Sequence, residues 1–182
     1  MRDTHTEGSA IVRAYRPGHI DLLYAAVTES IPELARYETW CHPGYTRDEA
    51  AEYVKWWMEA REKDKAYYFA VEERETGEFL GSCGLSGLVM DHKRGGLGFW
   101  IRSSRTGRGH ATDAARAVSR LGFEDLGLER IEVEIAVDNA ASRRVAEKLE
   151  CKFEGVLSRR LILPAGPTDT AMYSLLKPPG SL

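Results

Sequence analysis

The sequence has little cysteine, and it has no long apolar run. Cys41, Cys83 and Cys151 form an odd set without a Cys-x-x-Cys pair, which argues against both a disulfide framework and a zinc site. No segment approaches the roughly 18 to 20 consecutive apolar residues that span a bilayer. Residues 1–5 have no apolar run behind their charges and so do not resemble a signal peptide. These absences predict a cytoplasmic protein without a membrane partner.

An excess of positive charge is also missing. The formal net charge is −3, whereas proteins that follow a phosphate backbone usually carry a basic excess. We therefore expect no direct contact with nucleic acid. What the sequence does have is an ordinary globular mixture, with 43% hydrophobic and 29% charged residues. Its 182 residues are enough to bury a core, and we predict a single domain over residues 1–182.

Strand and helix patterns are mixed along the chain. Helical spacing covers residues 19–37, where Pro32 predicts a kink or two short helices, and Thr46 with Glu49 forms a capping-box pattern before the next helix. Two more helical patterns lie in the second half of the chain. Seven segments have strand patterns: residues 9–15, 66–73, 79–88, 97–101, 131–137, 153–163 and 169–176. This order predicts an α/β or α+β sheet domain with hairpins in the middle.

The segment RTGRGHAT, residues 105–112, lies between a predicted strand and a predicted helix. Gly107 and Gly109 permit a tight turn that brings backbone N–H groups close to a ligand. The unpaired N–H groups at the start of the helix favour phosphate. A P-loop would need Gly-Lys-Ser/Thr, and a dinucleotide fingerprint would need a third glycine where Thr112 stands. Taken alone, the segment is either a phosphate site or only a turn.

A second polar segment, DNAAS at residues 138–142, joins the most regular strand pattern to a helix. Ligands of open α/β sheets bind at the carboxyl ends of the strands, and this segment lies at such an end. Asn139 can cap the helix, which is a common role of asparagine, or it can bind a ligand. The two roles are compatible, and the sequence leaves both open.

The segments RTGRGHAT, DNAAS and LECKFEG (residues 149–155), in this order and at this separation, resemble the GNAT acetyltransferase superfamily. More narrowly, they are similar to the Rim-type group, which acetylates the N-termini of ribosomal proteins. The resemblance covers almost the whole chain and is strongest over residues 97–155. It implies an α/β (α+β) fold with a mixed, mostly antiparallel central sheet of about seven strands, flanked by helices. This sheet would splay between its fourth and fifth strands, residues 97–102 and 131–137.

The resemblance also implies acetyl-CoA as cosubstrate. Pantetheine would lie in the splay and pair with the backbone of Phe99 and Ile101, and pyrophosphate would bind the N–H groups of the glycine turn. Asn139 would bond the pantetheine arm. Trp100 is counted with this set, although a core position beside the splay is its simpler role. The implied cofactor-binding residues are Phe99, Trp100, Ile101, Thr106, Gly107, Arg108, Gly109, His110, Ala111, Thr112, Asn139 and Ser142.

The sequence departs from the family at positions that often carry its acid and base. Ala146 stands where many relatives have a tyrosine general acid, and Gly96 stands where many have a glutamate base. Thr106 replaces a frequent Gln or Arg, and a Glu-Cys-Lys run replaces the glycine before Phe153. Because the Rim-type group often has a serine at the place of Ser142, we expect Ser142 to be the catalytic residue that protonates the leaving thiolate.

The sequence does not single out a general base. An alkylammonium must lose a proton before its nitrogen can attack, and a carboxylate or a histidine can accept that proton. Six such residues lie on segments that could border the acceptor: Glu29, Glu33, Glu38, His42, Asp91 and His92. Solvated surface is the simpler role for each of them. Cys83 is expected to be a core residue and not an acyl-carrying nucleophile.

The expected reaction is direct transfer of acetyl to a primary amine, with a protein N-terminus, for example that of a ribosomal protein, as the favoured acceptor. The first two helices would frame this amine with acidic and aromatic residues: Glu33, Tyr37, Glu38, Trp40, His42 and Tyr45. Arg159 and Arg160 would face an acidic group of the acceptor. Two alternatives stay open, acetylation of a small-molecule amine such as an antibiotic or a polyamine, and a non-catalytic CoA-binding module. We expect a monomer or a homodimer, and no metal.

Overall fold

A computed structural model describes residues 1–179 of the chain. Its helices are α1 (Ile20–Leu34), α2 (Arg47–Glu62), α3 (His110–Asp125) and α4 (Ala140–Lys148). Its strands are β1 (Thr4–Glu7), β2 (Ala10–Ala14), β3 (Tyr67–Glu73), β4 (Phe79–Val89), β5 (Arg94–Ile101), β6 (Arg130–Ala136), β7 (Lys152–Leu163) and β8 (Gly166–Leu176). None of the helices in this part of the chain is long and apolar enough to cross a membrane.

All eight strands form one sheet in the order β1-β2-β3-β4-β5-β6-β8-β7. Every neighbouring pair is antiparallel except β5 and β6. The expected mixed, mostly antiparallel fold is therefore confirmed, with eight strands instead of about seven. The additional strand is β1, a short edge strand whose sequence, Thr-His-Thr-Glu, has no apolar alternation that would predict it. Its presence moves the predicted splay from the fourth and fifth strands to β5 and β6.

The splay exists because the β5–β6 pairing ends early. Three parallel pairs form, and the last of them joins Gly96 to Glu132. Beyond this pair β5 continues to pair with β4 as far as Ile101, and β6 continues to pair with β8 as far as Ala136. The two strands therefore separate along their carboxyl-terminal halves, and in residues 1–179 no strand pairs with the two edges that face the gap.

Each face of the sheet is covered by helices. On β3, Phe69 and Val71 are buried on the side of α3, where Leu121 of that helix belongs to the same core. Ala70 is buried on the opposite side, in a second core to which α1 contributes Leu23. Successive residues of a strand point to opposite faces, so the alternation of β3 separates the two cores. The gap between β5 and β6 is thus flanked by packed layers.

α1 is one helix, contrary to the expectation of two short helices around Pro32. The proline lies inside the helix, two residues before its last residue, Leu34. Near the end of a helix, the missing N–H removes a single hydrogen bond and little helix remains to be disrupted. The chain then continues as a tight turn in which Glu38 N–H donates to Leu34 O (2.8 Å). The expected division into two short helices was therefore wrong.

The capping box predicted for α2 is confirmed. Thr46 Oγ1 accepts a hydrogen bond from Glu49 N–H (3.2 Å), and the Glu49 carboxylate accepts one from Thr46 N–H (2.7 Å). The same carboxylate lies 2.8 Å from His42 Nε2. The cap therefore holds both the start of α2 and the loop that connects it to α1.

Replacing Thr46 by alanine should lower the free energy of unfolding by about 1 kcal/mol, because α2 loses its cap. In a chain of this size the melting temperature should fall by roughly 2–4 °C. Thermal unfolding followed by circular dichroism measures this change. Thr28→Ala, at an exposed position inside α1, is the control and should change the free energy by less than about 0.5 kcal/mol. Equal destabilisation by both substitutions would contradict the stabilising role of the cap.

Candidate functional site

The glycine turn leads into a helix start that has no side-chain cap. Gly107 and Gly109 have φ angles of 77° and 93°, in the left-handed region that favours glycine. Gly109 is the N-cap of α3, and the first backbone bond of the helix joins Asp113 N–H to Gly109 O (3.0 Å). The N–H groups of residues 110–112 therefore precede the helical ladder at its positive end. A helix start of this kind can bind a phosphate group.

His110 anchors this helix start to the sheet. Its buried ring places Nδ1 2.8 Å from Ser9 Oγ, and the Ser9 hydroxyl donates to Asp113 Oδ2 (2.9 Å). Because the hydroxyl gives its one proton to Asp113, the ring Nδ1–H is the donor toward Ser9. The other ring nitrogen lies 3.6 Å from Glu73 Oε1. The side chain is thus directed to the sheet, and His110 can offer a ligand only its backbone N–H, which is the group that the resemblance implies.

Three arginines flank the glycine turn, and carboxylates hold two of them. Arg102 pairs with Glu29 and lies 3.2 Å from Glu78, which also accepts a hydrogen bond from Arg105 Nε (2.9 Å). Hydrogen bonds, first of all from Arg102, lower the pKa of Glu29 to about 2, so this carboxylate cannot take up a proton near neutral pH. Arg108 is exposed and forms no ion pair within the described part of the chain. Arg108 is therefore the cation of the turn that is available to an anion.

A cavity of about 110 Å³ lies in the gap between β5 and β6. We call it the splay cavity. Its lining comes from both strands, the segment after α1, the start of α4 and the last hairpin: Tyr37, Glu38, Leu97, Gly98, Phe99, Val133, Glu134, Ile135, Ala136, Asn139, Ser142, Leu161 and Leu163. The predicted site residues Phe99, Asn139 and Ser142 are thus brought together. Leu161 and Leu163 were missed, because a strand pattern does not tell which cavity the strand borders.

Asn139 is the N-cap of α4. Its Oδ1 accepts a hydrogen bond from Ser142 N–H (3.1 Å), which confirms the capping role and leaves the side-chain NH2 group as a donor for a ligand. Ser142 lies in the first turn of the same helix and is half-buried at the cavity wall. Ala146, one turn further along, is fully buried and has no proton to donate. Ser142 is therefore the hydroxyl that α4 presents to the cavity.

Trp100 does not border the splay cavity, although it was counted among the cofactor residues. Successive side chains of β5 point to opposite faces, so Phe99 and Ile101 pack on the α3 side and Trp100 is buried on the side of α1 and α2. Its ring lies 6.1 Å from that of Trp40 and 6.4 Å from that of Phe79. The side chain is a core residue, and only the backbone of Trp100 lies on the splayed strand.

Of the six residues considered as general base, only Glu38 borders the splay cavity. Glu33 accepts a hydrogen bond from Ser103 Oγ (2.6 Å), and His42 faces the cap of α2 as described above. Asp91 and His92 are exposed in the turn before β5, at the end where that strand is still paired with β6. The last two therefore lie at the opposite end of the strand from the gap.

A second cavity, of about 320 Å³, shares Tyr37 and Leu163 with the first. We call it the hairpin cavity, because it lies between the end of α1 and the turn that joins β7 to β8. Its lining residues are Ala35, Arg36, Tyr37, Asp138, Leu163, Pro164, Ala165 and Thr168. Two adjoining cavities of this kind can hold a cosubstrate and an acceptor side by side.

The residues expected to frame the acceptor are only partly brought together. Tyr37 borders both cavities, whereas Tyr45 is buried and packs its ring 5.9 Å from that of Trp40. Arg160 is held by Glu134, with a distance of 2.9 Å between the charged groups. Arg159 is exposed on β7 and borders neither cavity. Neither arginine borders a cavity, and their contact with an acceptor stays a prediction.

The family described as "Acetyltransferase (GNAT) domain" matches residues 10–152. The "Uncharacterized N-acetyltransferase YoaA" of Bacillus subtilis (strain 168) is 34% identical over 110 residues, which are 60% of this chain and 62% of YoaA. The "Putative ribosomal N-acetyltransferase YdaF" of the same organism is 33% identical over 101 residues, which are 56% of this chain and 55% of YdaF. The chain thus matches less than two thirds of the length of either relative.

A solved structure of RimL, described as ribosomal L7/L12 alpha-N-protein acetyltransferase in complex with coenzyme A, superposes with a TM-score of 0.87. The two chains are 19% identical, and the match covers 94% of this chain and 96% of RimL. At this identity the likeness establishes the fold. The family match covers most of the chain, including the glycine turn, Asn139 and Ser142. The chain therefore belongs to the GNAT acetyltransferase family, as its three motifs predict.

Proposed function

We propose that this chain transfers the acetyl group of acetyl-CoA directly to a primary amine, the N-terminal amine of a protein. The observation that carries the proposal is the composition of the splay cavity. An unpaired strand edge, a capping Asn139 with a free amide donor, and the Ser142 hydroxyl meet in one gap. An uncapped helix start follows β5 along the chain. Each of these groups has the polarity that one part of acetyl-CoA requires.

Acetyl-CoA fits these groups from its pyrophosphate to its thioester. In the proposal, the pyrophosphate binds the N–H groups of residues 107–112, and Arg108 adds a positive charge. The pantetheine arm pairs with the backbone of Phe99 and Ile101, as an added strand would. The Asn139 amide donates to the same arm. Thr106 contributes differently, because its hydroxyl donates to Ser103 O (3.0 Å) and so shapes the turn.

Positioning and charge stabilisation supply the rate in this proposal. The splay cavity holds the thioester beside the incoming nitrogen, which replaces a bimolecular encounter by an oriented one. A backbone N–H of the unpaired β5 edge polarises the thioester carbonyl. Ser142 Oγ–H protonates the sulfur as the carbon–sulfur bond breaks. Ala146 cannot supply this proton, so Ser142 is the proton donor that remains on α4 beside the cavity.

The hairpin cavity is the proposed entrance for the acceptor. It adjoins the splay cavity at Tyr37 and Leu163, so an amine that enters there reaches the thioester. Asp138, which is exposed in its wall, attracts an ammonium group. A protein N-terminus needs space for the residues that follow it, and the larger outer cavity offers that space. The descriptions of YdaF as a putative ribosomal N-acetyltransferase and of RimL as a ribosomal L7/L12 acetyltransferase support a ribosomal protein as acceptor, while a shared fold is compatible with other acceptors.

Gly109→Val should weaken the binding of acetyl-CoA tenfold or more, roughly 1.4 kcal/mol. The added side chain occupies the space through which a phosphate approaches the backbone, and the left-handed φ is strained for valine. Calorimetric titration with acetyl-CoA measures the change. Gly127→Val is the matched control, because Gly127 also has a positive φ (66°) with open space around it, but follows the other end of α3. Unchanged affinity in a folded Gly109→Val protein would show that the glycine turn does not bind the cosubstrate.

Ser142→Ala should lower kcat by about 10²-fold and leave the KM for acetyl-CoA nearly unchanged, because the lost proton matters in the transition state. The backbone N–H of residue 142 still reaches Asn139, so the cap of α4 is kept. Release of the CoA thiol measures turnover. Ser158→Ala, at an exposed position of β7, should behave like the wild type. Full activity of the Ser142 variant would reduce this serine to a packing residue.

The acceptor class is tested by incubating the chain and acetyl-CoA with ribosomal proteins, N-terminal peptides, polyamines and aminoglycosides, and by reading masses. We expect an added acetyl group on the α-amine of a protein or peptide. Acetylation confined to small amines would contradict the protein acceptor and leave the transfer reaction intact. Binding of acetyl-CoA without acetylation of any amine would indicate a CoA-binding module.

A further inference from the structure

The cavity wall contains a carboxylate with a fixed position and no counter-ion. Glu38 follows the last turn of α1, borders the splay cavity and shares that cavity with Ser142. Its Oε2 accepts a hydrogen bond from Trp40 Nε1 (2.7 Å). Within residues 1–179 this indole is the only side chain that hydrogen-bonds the carboxylate, so the second oxygen is left for a ligand.

The indole that holds this carboxylate is itself immobilised by aromatic packing. The ring of Trp40 lies 5.2 Å from that of Tyr53, 5.9 Å from that of Tyr45 and 6.1 Å from that of Trp100. These partners come from α2, from the loop before it and from β5, and they fix the direction of the indole N–H. A hydrogen bond from a fixed donor restricts the carboxylate to one rotamer beside the cavity.

The titratable groups that face this carboxylate are neutral or already paired. They come from its own loop, α2, β3 and β6: Cys41, Tyr53, Tyr68 and Glu134. Burial, followed by the charge of the carboxylate, raises the pKa of Cys41 to about 11, and burial raises the pKa of both tyrosines. Glu134 is bound to Arg160. No cation in the described residues therefore compensates the buried negative charge, and burial raises the pKa of Glu38 to about 7.

A purely structural purpose does not account for this arrangement. The indole N–H of Trp40 needs one carbonyl oxygen, and a glutamine amide would supply it without a charge. A partly buried carboxylate without a cation costs free energy of folding, because the ionised form loses its hydration. Ionisable groups with shifted titration in a cleft are concentrated at functional sites. This cost in folding free energy indicates that the charge of Glu38 has a function.

We propose, on the basis of the transfer reaction proposed above, that Glu38 is the general base that deprotonates the acceptor amine, and that Trp40 positions it. The acceptor ammonium has three protons. One passes to the Glu38 carboxylate before the nitrogen bonds the thioester carbon, and one stays on the amide nitrogen. The third replaces the proton that Ser142 Oγ gives to the sulfur when the carbon–sulfur bond breaks. Acetyl-CoA and the ammonium thus become an N-acetyl amine, CoA thiol and one proton, which the base returns to solvent.

The reaction should depend on pH in a defined direction. Only the ionised carboxylate can accept a proton, so activity is lost as the pH falls through the pKa of Glu38 and is present above it. With acetyl-CoA saturating, kcat/KM for the amine should therefore rise with pH around a midpoint near 7. A carboxylate with an ordinary pKa would be fully ionised at pH 6 and would give no such rise.

Glu38→Gln is the direct test, because the glutamine amide oxygen still accepts the bond from Trp40 and the fold should be kept. We expect kcat/KM for the amine to fall by about 10²- to 10⁴-fold and its rise near pH 7 to disappear, with unchanged calorimetric affinity for acetyl-CoA. Glu52→Gln, at an exposed position of α2, is the control. A wild-type kcat/KM for the amine in Glu38→Gln, or a persistent rise of this kcat/KM near pH 7, overturns the assignment.

Trp40→Phe separates positioning from the chemistry. Loss of the N–H that Trp40 donates removes a hydrogen bond to the ionised carboxylate. The midpoint of kcat/KM for the amine should therefore move upward by about one pH unit, while kcat/KM well above that midpoint recovers substantially. A midpoint that stays in place overturns the positioning role.

A readout without turnover is the indole N–H resonance of Trp40, identified by its loss in Trp40→Phe. It should titrate with a midpoint near 7 in the wild type and not in Glu38→Gln. If the wild type acetylates no amine, the proposed function fails whatever the resonance shows. If the wild type is active and Glu38→Gln equals it, only the base assignment fails.

Discussion

The early end of the β5–β6 ladder is the constraint on which the site depends. After Gly96 and Glu132 the two strands no longer pair with each other, although β5 still pairs with β4 and β6 still pairs with β8. A row of backbone donors and acceptors therefore faces a gap inside the sheet. Buried backbone groups need partners. An extended, amide-containing ligand can supply them, as an added strand does in peptide recognition. The opening of the sheet is therefore a binding surface in itself, before any side chain is considered.

The chain places its polar helix starts where this opening ends. β5 and β6 are parallel, so both leave the sheet at the same edge, one into the glycine turn and α3, the other into Asn139 and α4. The two helix starts have different caps. At Gly109 no side chain caps the N–H groups of α3, whereas at Asn139 the side-chain oxygen caps α4 and the side-chain NH2 group remains as a donor. His110 and its partners on the sheet hold the first of these in place. Connectivity alone thus brings the starts of α3 and α4 to one side, where we propose that phosphate and thioester bind.

The sequence predicts those parts of the fold and site that local chemistry determines. Strand alternation, the Thr46–Glu49 cap and the glycine turn each depend on neighbouring residues, and the structure has the strands, the cap and the turn. Strand β1 could not be predicted, because its polar sequence is held by pairing with β2 and by the ion pair of Glu7 with Arg120 of α3, which are both tertiary contacts. The two short helices expected around Pro32 are absent from this part of the chain, because the effect of a proline depends on how close it lies to the end of the helix. The face on which Trp100 lies follows from strand register, which is a tertiary property.

The acidic residues show most clearly why local patterns are insufficient. Glu29, Glu33 and Glu38 occur within ten residues, and the sequence offers no reason to rank them. Glu29 is held by Arg102, which precedes the glycine turn and lies some seventy residues away along the sequence. Glu38 meets an aromatic cluster built from α2 and β5, and so keeps its charge in a less hydrated place. The same carboxyl chemistry is therefore a fixed anion at one position and a titrating group at the other. What distinguishes them is the partner that folding brings to each, an arginine in one case and an indole in the other.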